Sequence, residues 1–207
     1  GKVGVDKIDD QQLALLRRCA ESGDVTEWNR WRRENPGAEI LLQGANLEID
    51  GKRAALRRVN LRGVNLARAK LSGSILVEAD LRDAVFTGAK LRGAIMVGSD
   101  LRGANLQEAD LRGANLRKAD LRDMNGRYCN FDGETLFLTD RINRNTNFAG
   151  APLGSARIEP GLQQALEYNI RRDQWREWYR HHPVLAAPVF LFWMVSDYGN
   201  SICRILL

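Results

Sequence analysis

The sequence predicts an all-β solenoid with helical ends, on three observations. An unbroken five-residue period runs from Ala54 to about Asp123, with large apolar centres at Leu56, Leu61, Leu66, Leu71, Leu76, Leu81, Phe86, Leu91, Met96, Leu101, Leu106, Leu111, Leu116 and Leu121. Two residues before each centre stands Ala, Val or Ser, as at Ala69, Ser74, Ala79, Ala84 and Ala89. On either side of the repeats, the spacing of apolar residues changes to that of an amphipathic helix.

A strict period of five excludes a long helix, because it walks around a 3.6-residue cylinder and leaves no face to bury. It also excludes a flat strand, whose side chains alternate with period two. The backbone must therefore turn once per unit. Four such corners close a coil of about twenty residues, and coils can stack at the strand spacing of roughly 4.8 Å. The centre and the small residue point inward, so the predicted core includes Leu61, Leu66, Leu71, Leu81, Phe86, Leu91, Leu101, Leu106, Leu111 and Leu121.

The units Ala104-Asn105-Leu106-Gln107-Glu108 and Ala109-Asp110-Leu111-Arg112-Gly113 follow the order small residue, Asn or Asp, Leu, then two variable residues. In this the chain resembles the pentapeptide-repeat family, and the resemblance implies a right-handed quadrilateral β-helix.

Taken in order, the first element is a helix from about Asp10 to Ser22, capped by Asp9 or Asp10 and ended by Gly23. A second runs from about Val25 to Glu34, with Asp24 as cap and Pro36-Gly37 as stop. Trp28 and Trp31 beside Arg30, Arg32 and Arg33 have two readings, a nucleic-acid stacking site or a cover for the solenoid's open end. The stronger reading is the cover. Gln43-Gly44-Ala45-Asn46-Leu47 is an isolated first repeat, and Glu48 to Lys52 loops out before the unbroken run. After Leu121 the pattern decays: Gly126 and Arg141 fall on inward centres, while Phe131 and Leu136 still fit. A second run, out of phase, passes through Phe148, Leu153 and Ile158, with a loop expected around Thr139 to Asn145.

A third helix is expected from about Gly161 to Arg180, with Leu162, Leu166, Ile170, Trp178 and Tyr179 as its apolar residues and His181-His182-Pro183 as its stop. The apolar run from Val184 to Val195 is too short to cross about 30 Å of hydrocarbon as a helix. With Phe190, Phe192, Trp193, Tyr198 and Arg204 it forms a segment that either caps the solenoid or lies in a membrane interface. Its aromatic run and Asp-Tyr-Gly-x-Ser resemble the segment that joins some bacterial pentapeptide-repeat domains to a two-helix ion-channel pore. That resemblance implies the cytosolic part of a longer protein, peripheral to or tethered at the inner membrane. The chain thus divides into a helical cap at 1–37, a repeat domain at 38–158 and a C-terminal helix and tail at 159–207.

Function would be written on the outward positions. One face carries Arg62, Arg82, Arg102 and Arg122 beside Asn60, Asp80, Asp100 and Asp120, read as a solvated ladder or as a surface facing an anionic partner. Another carries Ile75, Val77, Ile95 and Val97, with Phe137 and Leu138 further along. Four aliphatic residues where charged or amide side chains usually stand form an apolar patch, covered by a terminal helix, a second copy or a partner protein.

No Ser/His/Asp or Cys/His constellation and no phosphate-cradling loop is present, so neither catalysis nor a cofactor is expected. Cys19, Cys129 and Cys203 are odd in number and dispersed, and read as reduced thiols in a cytoplasmic protein. His181 and His182 adjoin no ligand cluster, so no metal is expected. Three functional classes remain: an interaction scaffold, a DNA-mimicking gyrase inhibitor, as some relatives are, and an electrostatic nucleic-acid binder. A net charge of +5 disfavours the mimic, and the lack of stacking aromatics on the coil faces makes nucleic acid a weak partner.

Overall fold

One unit shows why the pattern folds as it does. In Ala79-Asp80-Leu81-Arg82-Asp83 every backbone N–H has an acceptor. Ala79 donates to Leu76 O (3.2 Å) and closes a turn, Asp80 to Val59 O (3.0 Å) one coil back, and Leu81 to Asp100 O (2.9 Å) one coil ahead. Asp83 donates to Arg102 O (2.9 Å), and the remaining N–H, of Arg82, goes to the Asp80 carboxylate (3.3 Å). The repeat thus meets the requirement that buried backbone polar groups be paired, and the Asp or Asn is the side chain that completes it. The last residue of the unit has positive φ, 58° at Asp83 and 69° at Gly103, which is why glycine recurs there.

In this computed structural model, residues 8–181 are described. Two compact units divide the chain, Gly1–Asn169 and Ile170–Leu207, and the repeats form a β-helical solenoid inside the first. Parallel bridges join positions twenty apart, as in Asn60–Asp80–Asp100–Asp120 and Ala55–Ile75–Ile95–Asn115. Two further columns run through Asn65–Val85–Asn105–Asn125 and Lys70–Lys90–Asp110–Asn130. All fourteen centres from Leu56 to Leu121 are fully buried, as are the small residues beside them. A buried Leu contributes about 1.5–3 kcal/mol, so this column is the main source of stability.

Helices α1 (Asp10–Ser22) and α2 (Thr26–Glu34) meet the first coil. Asp9 accepts from the N–H groups of Gln11 and Gln12, and Gly23 closes α1 with φ 78°. For α2 the expected cap moves by one residue: Val25 stands at the cap position, and Asp24 instead accepts the N–H of Thr26. Trp28 is fully buried and donates its indole N–H to Asn60 O at 2.8 Å. Ala20 O and the Asn29 amide oxygen accept the N–H groups of Ala55 and Asn60, which have no earlier coil to pair with. These contacts match the covering role for Trp28, not a stacking one. The expected loop after Leu47 is present, with Ile49 bridged to Lys52 around Asp50-Gly51.

Two expectations about the decaying end need correction. Leu136 is not an inward centre: Leu116 donates to Leu136 O, twenty residues on, which sets Leu136 at the outward register and Phe137 at the centre, where it is fully buried. The cause is one extra residue in the turn at Asp132, whose carboxylate accepts the N–H groups of Gly113 and Glu134. Arg141 is likewise exposed, because the loop after Thr139 shifts the phase again and Thr146 enters the small inward slot. Gly126 does occupy a buried centre. The space above it is filled by Phe148, which packs edge-on with Phe131 and Phe137. Strands β1 (Leu136–Phe137) and β2 (Arg157–Ile158) pair in parallel as the last rung. Helix α3 spans Pro160–His181; in its first turns Leu162 and Leu166 are buried, and the Asn169 amide donates to Asn143 O and Thr146 O. Trp178, expected on its apolar face, is 37% exposed, and the side chain of Tyr179 lies outside the described set.

Candidate functional site

The turn that follows each centre brings the residue before it and the residue after it to the same outward surface, so an Asp-Leu-Arg unit can close an ion pair on itself. Arg82 does so in bidentate form, with Nε to Asp80 Oδ1 at 2.8 Å and Nη2 to Oδ2 at 2.6 Å. Arg102 with Asp100, Arg122 with Asp120, and Arg112 with Asp110 repeat the geometry. Arg82 also leans toward Asp100 on the next coil at 3.7 Å, and Arg102 toward Asp120 at 3.9 Å. Hydrogen bonds from Arg112 and Arg122 hold Asp110 and Asp120 below the ordinary carboxylate range, and the same bonds raise the two guanidiniums. Arg62, which follows Asn60, lacks such a partner on its own unit and lies 3.8 Å from Asp83. Of the candidate anion-facing ladder Arg62, Arg82, Arg102 and Arg122, the last three therefore present charge already neutralised by their own coil.

The aliphatic face is built differently. Ile75 and Ile95 are bridged neighbours on successive coils, with Val77 and Val97 beside them, and all four are half-buried. An isoleucine side chain cannot accept a hydrogen bond, so the bond that the N–H of Arg82 donates to Asp80 has no counterpart for Val77 and Val97. The patch thus replaces a backbone-satisfying side chain with an apolar one, twice in register. Asn115 and Arg117 interrupt it on the following coil, and Leu136 and Leu138, both half-buried, resume it on the next. Phe137 leaves the candidate interface, since it packs inward, and Leu136 takes its place. The signal for this exchange was in the spacing of Phe131 and Phe137, six residues apart where five would keep phase.

The two described thiols, Cys19 and Cys129, are packing groups. Cys129 sits in a small inward slot, donates to Leu106 O, and is pushed by burial up to about 12; burial also raises Cys19. Among the described residues no cluster of three His, Cys, Asp or Glu side chains could hold a metal, and no helix is long and apolar enough to cross a membrane. Phe190, Phe192, Trp193, Tyr198 and Arg204 lie outside the described residues.

No curated protein matches the chain. Among solved structures, a trypsin-treated QnrB1, a plasmid-mediated fluoroquinolone resistance protein, is 17% identical over 50% of this chain and 64% of its own, with a TM-score of 0.34. A pentapeptide repeat protein from the thylakoid lumen of Arabidopsis thaliana is 32% identical over 49% of this chain and 62% of its own, TM-score 0.26. HetL from the cyanobacterium Nostoc sp. strain PCC 7120, a pentapeptide repeat protein involved in heterocyst differentiation regulation, is 23% identical over 58% and 60%, TM-score 0.22. The chain spans less than two thirds of the length of each. The family model for pentapeptide repeats (8 copies) matches residues 52–88, 65–103 and 104–133. Residues 52–133 of the chain are therefore pentapeptide repeats of the kind that this family model describes.

Proposed function

We propose that the chain is a non-enzymatic scaffold for protein–protein interaction and that it pairs with a second copy of itself, or with a partner protein, through Ile75, Val77, Ile95 and Val97, extended by Leu136 and Leu138. The observation that carries the reading is the replacement of the Asp or Asn acceptor by Ile75 and Ile95 on two hydrogen-bonded coils. An aliphatic patch that also forgoes a backbone hydrogen bond costs stability in the free chain, and burial against another surface offsets that cost. The coil of this reading is the right-handed, four-sided form, supported by the four bridge columns at intervals of twenty.

A gyrase inhibitor that mimics DNA needs an acidic surface, which a net charge of +5 opposes. The apolar run at 184–195 supports attachment of the scaffold to a membrane surface from the cytoplasmic side.

Hydrogen–deuterium exchange at rising protein concentration tests the interface. Self-association through this face slows exchange at Val77 and Val97, while unchanged rates there at a concentration where the mass has doubled would place the contact elsewhere.

A further inference from the structure

The face that follows the Asp/Arg ladders by half a turn of the coil carries cations without such partners. Lys70 and Lys90 are bridged neighbours on successive coils, and both are exposed. Arg92 follows on the same unit as Lys90, also exposed. None of the three forms an ion pair among the described residues. Arg53 lies across the adjoining corner, its Nη1 donating to Gly73 O at 3.3 Å and Gly93 O at 3.2 Å. The acids nearby are engaged: Glu48 accepts the N–H of Ser72, and Asp110 is held by Arg112, with Arg92 adding only a weaker field.

Like charges directly opposite on a ladder destabilise it, and the same solenoid shows the remedy four times, in an Asp before each Arg. Lys70 and Lys90 stand where that Asp or Asn would be. The corner beside them is glycine on successive coils, and a side-chain carbon at Gly93 would meet nothing within 4 Å. The corner carries no side chain of its own and is crossed only by Arg53, itself a cation, so a broad surface can approach to the level of the charges.

We infer that Arg53, Lys70, Lys90 and Arg92 form a docking strip for an anionic lipid surface. The inference rests on the membrane-surface reading above and adds the second contact. An apolar segment alone attaches a protein weakly, and a basic patch is the usual second signal. A bilayer favours this geometry over nucleic acid: the strip occupies only two or three coils, roughly 10 Å, which planar headgroups meet all at once. The outward positions of the face carry no aromatic side chain for a base to stack on.

Flotation of the full chain with phosphatidylcholine vesicles, with and without phosphatidylserine, tests it. The variants are Lys70→Gln with Lys90→Gln and Arg92→Gln, and, as a control losing equal charge from another face, Arg57→Gln with Arg117→Gln and Lys118→Gln; both are checked for an unchanged melt. The strip variant is expected to lose on the order of tenfold to a hundredfold in phosphatidylserine-dependent partitioning, and the control variant far less. Equal partitioning of the strip variant and the unaltered chain overturns the proposal, as does equal loss in the control or preference for duplex DNA over the vesicles. Binding that ignores phosphatidylserine overturns it while leaving the apolar segment as the attachment, and binding to neither vesicle removes both readings.

Discussion

Phe148 occupies the space that a side chain on Gly126 would need: a Cβ placed there would overlap ring carbons Cδ1 and Cε1 of Phe148. The glycine is thus a vacancy in the Leu column that the chain fills from twenty-two residues away. Gly126→Leu, which restores the repeat pattern, is expected to destabilise by about 1–3 kcal/mol through overpacking. Phe148→Ala is expected to cost about 3–5 kcal/mol. The double variant should be more stable than the sum of the two losses, read from denaturant midpoints at constant slope; strict additivity would mean the two side chains do not share one space.

Ser74 offers the opposite case. Its hydroxyl is buried without a hydrogen-bond partner, while Ser99, in the small inward slot five units on, donates to Met96 O at 2.8 Å. Ser74→Ala is therefore expected to stabilise by about 1 kcal/mol and Ser99→Ala to do less or to destabilise. Thermal melts of the two single variants check the order.

The account of the ladders has a pH consequence. Hydrogen bonds from Arg112 and Arg122 lower the carboxyl pKa of Asp110 and Asp120 in the folded state. A lowered folded-state value contributes stability that is complete above the unfolded carboxylate value of about 4 and is lost as pH falls through the lower, folded one. Melting temperature should thus be flat from neutral pH down to about 5 and then drop. Asp110→Asn with Asp120→Asn should start lower and drop less; an equally steep fall would assign acid sensitivity to other groups.

Much of this was legible in the sequence where the signal is local. Asp9 and Gly23 bound α1 because a cap and a left-handed stop act within one turn, and the buried centres followed from a period that only a turning backbone explains. The outward placement of Ile75 and Ile95 follows from the same phase. What failed was phase carried past an inserted residue: the turn at Asp132 exchanged Leu136 and Phe137, a slip marked in the sequence by the six-residue spacing of Phe131 and Phe137 and by nothing in the period itself. The filling of Gly126 was hidden because its partner is on another coil. The strip at Lys70 and Lys90 was hidden for a different reason, since a lysine reads alike whether or not its neighbour neutralises it.

The measurement that bears most directly on the scaffold reading is the solution mass by light scattering, for the intact protein and for Ile75→Asp with Ile95→Asp. The account predicts twice the 23.3 kDa chain mass for the first and a folded monomer for the second. An intact protein that stays monomeric at all concentrations, or a variant that still doubles, would contradict self-association through this face.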